Sequence, residues 1–83
     1  MSTTYIIQSL KDGSYYIGST DDLDKRISRH NKGYSRYTKS RIPYKIIYQE
    51  TFKTRSEAKK REYYLKSLKS RAAIENLING SIV

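Results

Sequence analysis

The spacing of apolar positions divides the chain into segments with different periods. In residues 3–20, TTYIIQSLKDGSYYIGST, two short runs rich in Tyr and Ile (4–7 and 15–17) flank a turn centred on Asp12-Gly13. β-Branched and aromatic side chains fit a pleated, half-buried surface, and Asp-Gly accepts the left-handed backbone of a tight turn. This predicts a β-hairpin whose second strand is closed by Gly18. The period then becomes helical. Leu23 and Ile27 form a buried stripe, Ser19 and Thr20 can cap the start, and Asp21 and Asp22 sit near the positive end of the helix dipole. With Gly33 as a C-terminal stop, the pattern predicts a helix over 21–32. At about 100° per residue, Arg26 and His30 lie one above the other on a flank of the stripe, at the boundary between core and solvent.

Residues 32–42, KGYSRYTKSRI, are polar and basic and read as a loop, with Pro43 fixing the entry to a third strand over 44–51. In that strand Ile46 and Tyr48 share a face, while Tyr44 and Ile47 disturb the alternation. Thr54-Arg55-Ser56-Glu57 is a capping box. The helix it opens runs to about residue 70, with Ala58, Leu65 and Leu68 buried and Glu62 on the edge of that face. A last helix over 71–79 turns Ile74, Leu77 and Ile78 inward and ends at Gly80. The expected fold is α/β: one domain over residues 1–83, a small three-stranded antiparallel sheet flanked by three helices.

Composition narrows the function classes. The 83 residues contain no Cys, so disulfides, a thiolate metal site and thiol redox chemistry are excluded. No segment approaches the length of a membrane span or a secretory leader, and a cytoplasmic protein is the expectation. Seventeen Lys and Arg against eight Asp and Glu give a net charge of +9, a field that attracts polyanions. Nine tyrosines accompany one Phe and no Trp. Tyr joins an apolar ring to a polar tip, which suits strand positions and also half-buried sites that face phosphates or bases. In the basic loop, Tyr34, Arg36, Tyr37, Lys39 and Arg41 interleave cations and rings, a mixture suited to tracking a nucleic-acid backbone.

Five polar residues fall beside the predicted core: Tyr5, Tyr16, Arg26, His30 and Glu62. Phosphodiester hydrolysis needs an activated water, stabilisation of charge at phosphorus and help for the leaving oxygen. A carboxylate can hold a Mg²⁺-type ion, Arg is a permanent cation for phosphate oxygens, and Tyr can serve as a base when ionised. Each also has a plainer role. Glu62 can pair with Lys59 or Lys66 at helical spacing, His30 can be a satisfied core residue, and the tyrosines can be strand packing.

The order of these elements resembles the GIY-YIG nuclease family, and the likeness runs from Thr3 to about Ile78. Thr3-Thr4-Tyr5 stands in the first motif and Tyr16-Ile17-Gly18 in the second. Arg26 matches the family arginine of the following helix, His30 the His or Tyr one turn later, and Glu62 the glutamate that binds metal. The short, stand-alone form resembles small bacterial proteins related to the nuclease domain of the excision-repair nuclease. The resemblance implies a metal-dependent DNA endonuclease with a single Mg²⁺ or Mn²⁺ on Glu62 and Tyr16 as general base. Arg26 would support the phosphate, with His30 and Tyr5 positioning or assisting. Thr3-Thr4 replaces Gly-Ile of the first motif, a change that bears on strand packing more than on chemistry. Some members also use an Asn near the C-terminus, for which both Asn76 and Asn79 stand open. DNA is the expected partner, with specificity either low or supplied by a protein partner. The alternative is a nucleic-acid-binding module with the nuclease fold and no useful turnover. A domain that meets an acidic protein would leave the matched residues unexplained.

Overall fold

Strand β1, Ser2–Ser9, is the middle strand of the sheet and is covered on both faces, which is why its residues 4–7 form an unbroken run instead of an alternating one. The computed structural model describes residues 1–33 and 39–82, with side chains as far as residue 80. β1 pairs antiparallel with β2, Tyr15–Thr20, on one side and with β3, Tyr44–Phe52, on the other. On one face Tyr5, Ile7 and Tyr44 pack with Tyr16, Leu23, Ile27 and Ile42. On the other, Ile6, Leu65 and Ile74 gather Ile17, Tyr48, Leu68 and Leu77. Helix α1, Leu23–Asn31, therefore covers the first face, and α2, Arg55–Ser67, with α3, Arg71–Ile82, covers the second. Burial of a side chain such as Ile6 or Leu65 contributes about 1.5–3 kcal/mol, so the two thin cores hold a single middle strand from both sides.

The disturbed alternation of the third strand has a structural cause. The register of β1 with β3 shifts between Ile6, opposite Tyr48, and Ile7, opposite Ile46, so Ile47 is an extra residue in a β-bulge. The bulge puts Tyr44 in the first core and Ile47 and Tyr48 in the second, and leaves Ile46 exposed, so the expected common face for Ile46 and Tyr48 is corrected. At the hairpin turn, Gly13 takes φ 77°, where only glycine is unstrained. Ser9 Oγ accepts the backbone N–H groups of Lys11 and Asp12 and donates to the carbonyl of Arg41, joining the turn to a short 3₁₀ segment at Lys39–Arg41.

Several sequence boundaries move. β2 continues through Gly18 to Thr20, because Gly18 pairs with Tyr5 and does not end the strand. The cap of α1 is Asp22, whose carboxylate accepts from Lys25 N, while Ser19 and Thr20 belong to the strand. α2 is capped by Thr54 as expected, and Thr54 Oγ1 accepts from Glu57 N at 3.2 Å. It gives way to α3 through Lys69 at φ 47°. α3 passes through Gly80, where a side chain would meet nothing within 4 Å, so no tertiary contact forces a stop there. Asn31 clamps α1 to β3, accepting from Tyr44 N at 2.7 Å and donating to Tyr44 O at 3.3 Å.

Candidate active site

The site begins with a ring packed over a glycine. Tyr5 and Gly18 face one another across the β1–β2 ladder, and the Tyr5 phenol crosses the space that a Cβ at position 18 would fill. Its hydroxyl lies 3.2 Å from Nε2 of His30, delivered from α1. The Tyr16 ring meets the same imidazole edge-on at 5.1 Å between centroids, so three of the five sequence candidates form one aromatic cluster. His30 is 1% exposed, which corrects its expected place at the core–solvent boundary. Arg26, one turn earlier, is exposed, so the two residues share a helix flank but not an environment.

Burial decides the charge states within this cluster. Burial, then the neighbouring Tyr16, raise the Tyr5 phenol far above its usual range; Arg26 opposes and Glu62 adds to the rise. Burial, followed by the positive charges of Arg26 and Arg29, lowers His30. Both groups are therefore neutral at neutral pH, and the phenol donates to Nε2 or accepts from it according to the imidazole tautomer. Tyr16 is half-buried, so among the two tyrosines it is the one within reach of a substrate.

Glu62 approaches from the opposite face, over the β2 edge. It is 5% exposed, which corrects its expected position on the rim of the α2 stripe. Its Oε1 accepts from Ser19 Oγ at 2.6 Å and lies 3.5 Å from Lys59 Nζ. Its Oε2 accepts from Lys66 Nζ at 2.6 Å. Burial pulls its pKa upward, but hydrogen bonds from Lys66 and Ser19 and the charges of Lys66 and Lys59 outweigh it, leaving Glu62 below its ordinary value. The lysine partners expected from i,i+3 and i,i+4 spacing are both in place. Ser19 is a site residue that its reading as a helix cap conceals; alternation along β2 is the signal that places it on the α2 side.

A cleft of about 350 Å³ opens beside Ser19, with Arg26, Arg55 and Lys59 on its wall. Asp21 holds Arg55 there and also accepts from Ser2 Oγ. The charges of Arg26 and Glu62 both act on Tyr5, in opposite directions. The basic loop is a different matter. Arg41 pairs with Asp12 at 3.2 Å, which fixes Arg41 and Lys39 at the turn end of the hairpin, whereas Ser19 and Glu62 stand at its other end. Tyr34, Arg36 and Tyr37 lie outside the described residues. Asn76 and Asn79 are exposed on α3, and Asn79 adjoins Gln8 and Tyr15.

A three-stranded antiparallel sheet in the order β2-β1-β3, with α1 on one face and α2 and α3 on the other, is the GIY-YIG fold. The chain belongs to that nuclease family: residues 1–77 match the domain described as the GIY-YIG catalytic domain. A UPF0213 protein from Staphylococcus saprophyticus is 44% identical over 77 residues, covering 92% of this chain and 93% of that one. A UPF0213 protein from Clostridium perfringens is 41% identical, covering 99% and 88%. The solution NMR structure of a UPF0213 protein from Bacillus halodurans superposes with a TM-score of 0.61 at 38% identity, covering 95% of this chain and 84% of that one. Among the described residues, no helix is long and apolar enough to cross a membrane.

GIY-YIG nucleases typically use a divalent metal ion. Among the described residues no three His, Cys, Asp or Glu converge, so a cage built wholly from protein ligands is not the arrangement. The donor set at Glu62 fits a looser one. Mg²⁺ is commonly held by one or two carboxylates and keeps several waters, and Glu62 offers a carboxylate that lies behind the cleft wall, in contact with Ser19 and Lys59 of that wall.

Proposed function

We propose that the protein is a metal-dependent DNA endonuclease that hydrolyses phosphodiester bonds. The observation that carries this reading is that β2 carries both a buried, ionised Glu62, held through Ser19, and Tyr16 of the Tyr5–His30–Tyr16 cluster on its opposite face. Such a juxtaposition of a carboxylate with phenols and a neutral imidazole exceeds what packing of a small core requires.

The residues divide the work. Tyr16 is the general base that accepts the proton of the attacking water. Tyr5 stays protonated, and with His30 it holds the Tyr16 ring in place. Arg26 offers a guanidinium to a non-bridging phosphate oxygen, and Arg55 and Lys59 guide the backbone along the cleft. Glu62 would hold one Mg²⁺ or Mn²⁺, which supplies Lewis-acid stabilisation of the charge that builds at phosphorus. Lys39 and Arg41, with Tyr34, Arg36 and Tyr37, are a second stretch for the backbone of a longer substrate, and specificity is either low or supplied by a protein partner. A cytoplasmic setting belongs to the same proposal.

The pairing of Glu62 with two lysines favours the alternative, a binding module without turnover, because it leaves the carboxylate neutralised. Cleavage assays separate the two. Single-stranded, duplex, nicked and branched DNA are incubated with Mg²⁺ or Mn²⁺ and with wild type, Tyr16→Phe or Glu62→Gln. Metal-dependent cleavage by wild type, lost in both variants, is the expected result. If wild type cuts none of the four substrates, the endonuclease reading fails and the binding module stands.

A further inference from the structure

Glu62 already has a cation on it. Lys66 Nζ lies 2.6 Å from Oε2, closer than Lys59 at 3.5 Å from Oε1. The Glu62 side chain is only 7% exposed, so solvent does little to neutralise it, whereas Lys66 is 48% exposed and rides on a flexible stem. The hydrogen bond to Glu62 raises the Lys66 ammonium above its ordinary pKa, and the ammonium also feels Tyr16 by charge. Ser19 is different, since it is fixed in the ladder of β2 opposite Thr4 and holds Oε1 from there.

A hard divalent ion sits about 2.0–2.1 Å from a carboxylate oxygen. It cannot share Oε2 with an ammonium at hydrogen-bond distance, for reasons of space and of like charge. We propose that Lys66 is the resident counter-ion of Glu62 and that a divalent cation enters this site by exchange, the ammonium leaving Oε2 as the ion arrives. The inference rests on the reading of Glu62 as the metal carboxylate. Between loading events Lys66 keeps a buried charge compensated, and by competing for Oε2 it sets the cation concentration at which the site fills. Its exposure is what permits this: a half-exposed lysine can turn to solvent without disturbing the core, while Ser19 continues to aim the carboxylate.

The test is direct binding of Mn²⁺ and Mg²⁺ to the full chain by calorimetry, without nucleic acid. Three proteins are compared: wild type, Lys66→Met and Lys59→Met. Exchange predicts that Lys66→Met binds the ion about tenfold or more tightly than wild type, since a charge-assisted hydrogen bond no longer has to be broken. Lys59→Met removes the same unit of charge from the same carboxylate and should change affinity by about twofold at most. Equal tightening in both variants overturns the proposal, because simple loss of positive charge would explain it. So does unchanged or weaker binding in Lys66→Met while wild type binds. If neither wild type nor Lys66→Met binds either ion, the metal role of Glu62 falls together with the inference. A measurement on wild type alone stands in if Lys66→Met does not fold. The Lys66 ammonium proton signals, slowed in exchange by the Glu62 bond, should lose that protection when Mg²⁺ is added. Persistent protection while backbone signals around Ser19 shift would mean that the ion binds without displacing Lys66, which overturns exchange.

Discussion

The ring of Tyr5 lies across Gly18 so closely that a Cβ at position 18 would stand 2.5 Å from the phenol oxygen and 2.7 Å from Cζ. The glycine of the second motif is thus set by its neighbour and not by backbone strain. Gly18→Ala must push a fully buried ring out of register. We expect a loss of about 1–3 kcal/mol in stability by denaturant unfolding, as for overpacking of a core. The same substitution separates Tyr5 from His30, so the imidazole signals should shift in NMR spectra. A variant with wild-type stability and an unmoved His30 would contradict the close approach.

The two hairpin tyrosines should respond differently to loss of the hydroxyl. Tyr5→Phe removes the partner of His30 Nε2 inside the core and should cost about 0.5–1.5 kcal/mol, with cleavage reduced but present. Tyr16→Phe acts on the proposed base and should abolish cleavage while DNA affinity stays near wild type. Cleavage rate and unfolding free energy measured on both proteins check this. Reversal of the two effects would exchange their roles.

Glu62→Gln and Arg26→Ala separate folding from chemistry. Gln retains the shape and the acceptor oxygen for Ser19 but not the charge that answers Lys66, so stability should fall by about 1–2 kcal/mol. Turnover should be lost, with DNA binding intact or tighter. Arg26 is exposed on α1, and Arg26→Ala should change stability by less than about 0.5 kcal/mol. It should suppress cleavage, and added metal should not restore the rate, since a phosphate contact is what has gone. Cleavage by Glu62→Gln at the wild-type rate would remove Glu62 from the site.

Stability should decline on mild acidification. The folded-state pKa of His30 lies below its ordinary value of 6.5, so as pH drops past that value the unfolded chain takes up a proton that the folded chain refuses. The unfolded state is favoured, and the loss grows until the folded pKa is passed. Glu62, with a folded pKa below its ordinary 4.5, adds a second loss in the same direction at lower pH. Urea unfolding between about pH 7.5 and pH 5 should show falling stability in wild type and a flatter profile in His30→Gln. An equally steep profile in that variant would assign the effect to other groups.

Local spacing by itself determined much of this protein. The hairpin with its Asp12-Gly13 turn, three helices, the Thr54 cap and the pairing of Glu62 with Lys59 and Lys66 follow from backbone geometry a few residues long. That geometry is fixed by periods of two and 3.6 residues. Which side chains vanish into the interior was decided elsewhere. His30 is buried because Tyr5, Tyr16 and Tyr44 surround it, and these come from all three strands. Glu62 is buried because Ser19, 43 positions away, arrives over the edge of β2. The bulge at Ile47 divides β3 between two cores only because β1 is sandwiched between two helical layers. Periodicity assigns a residue to a stripe or its flank, but burial depends on what the rest of the chain brings against that flank, and this is a sum over distant contacts that no short window of sequence contains.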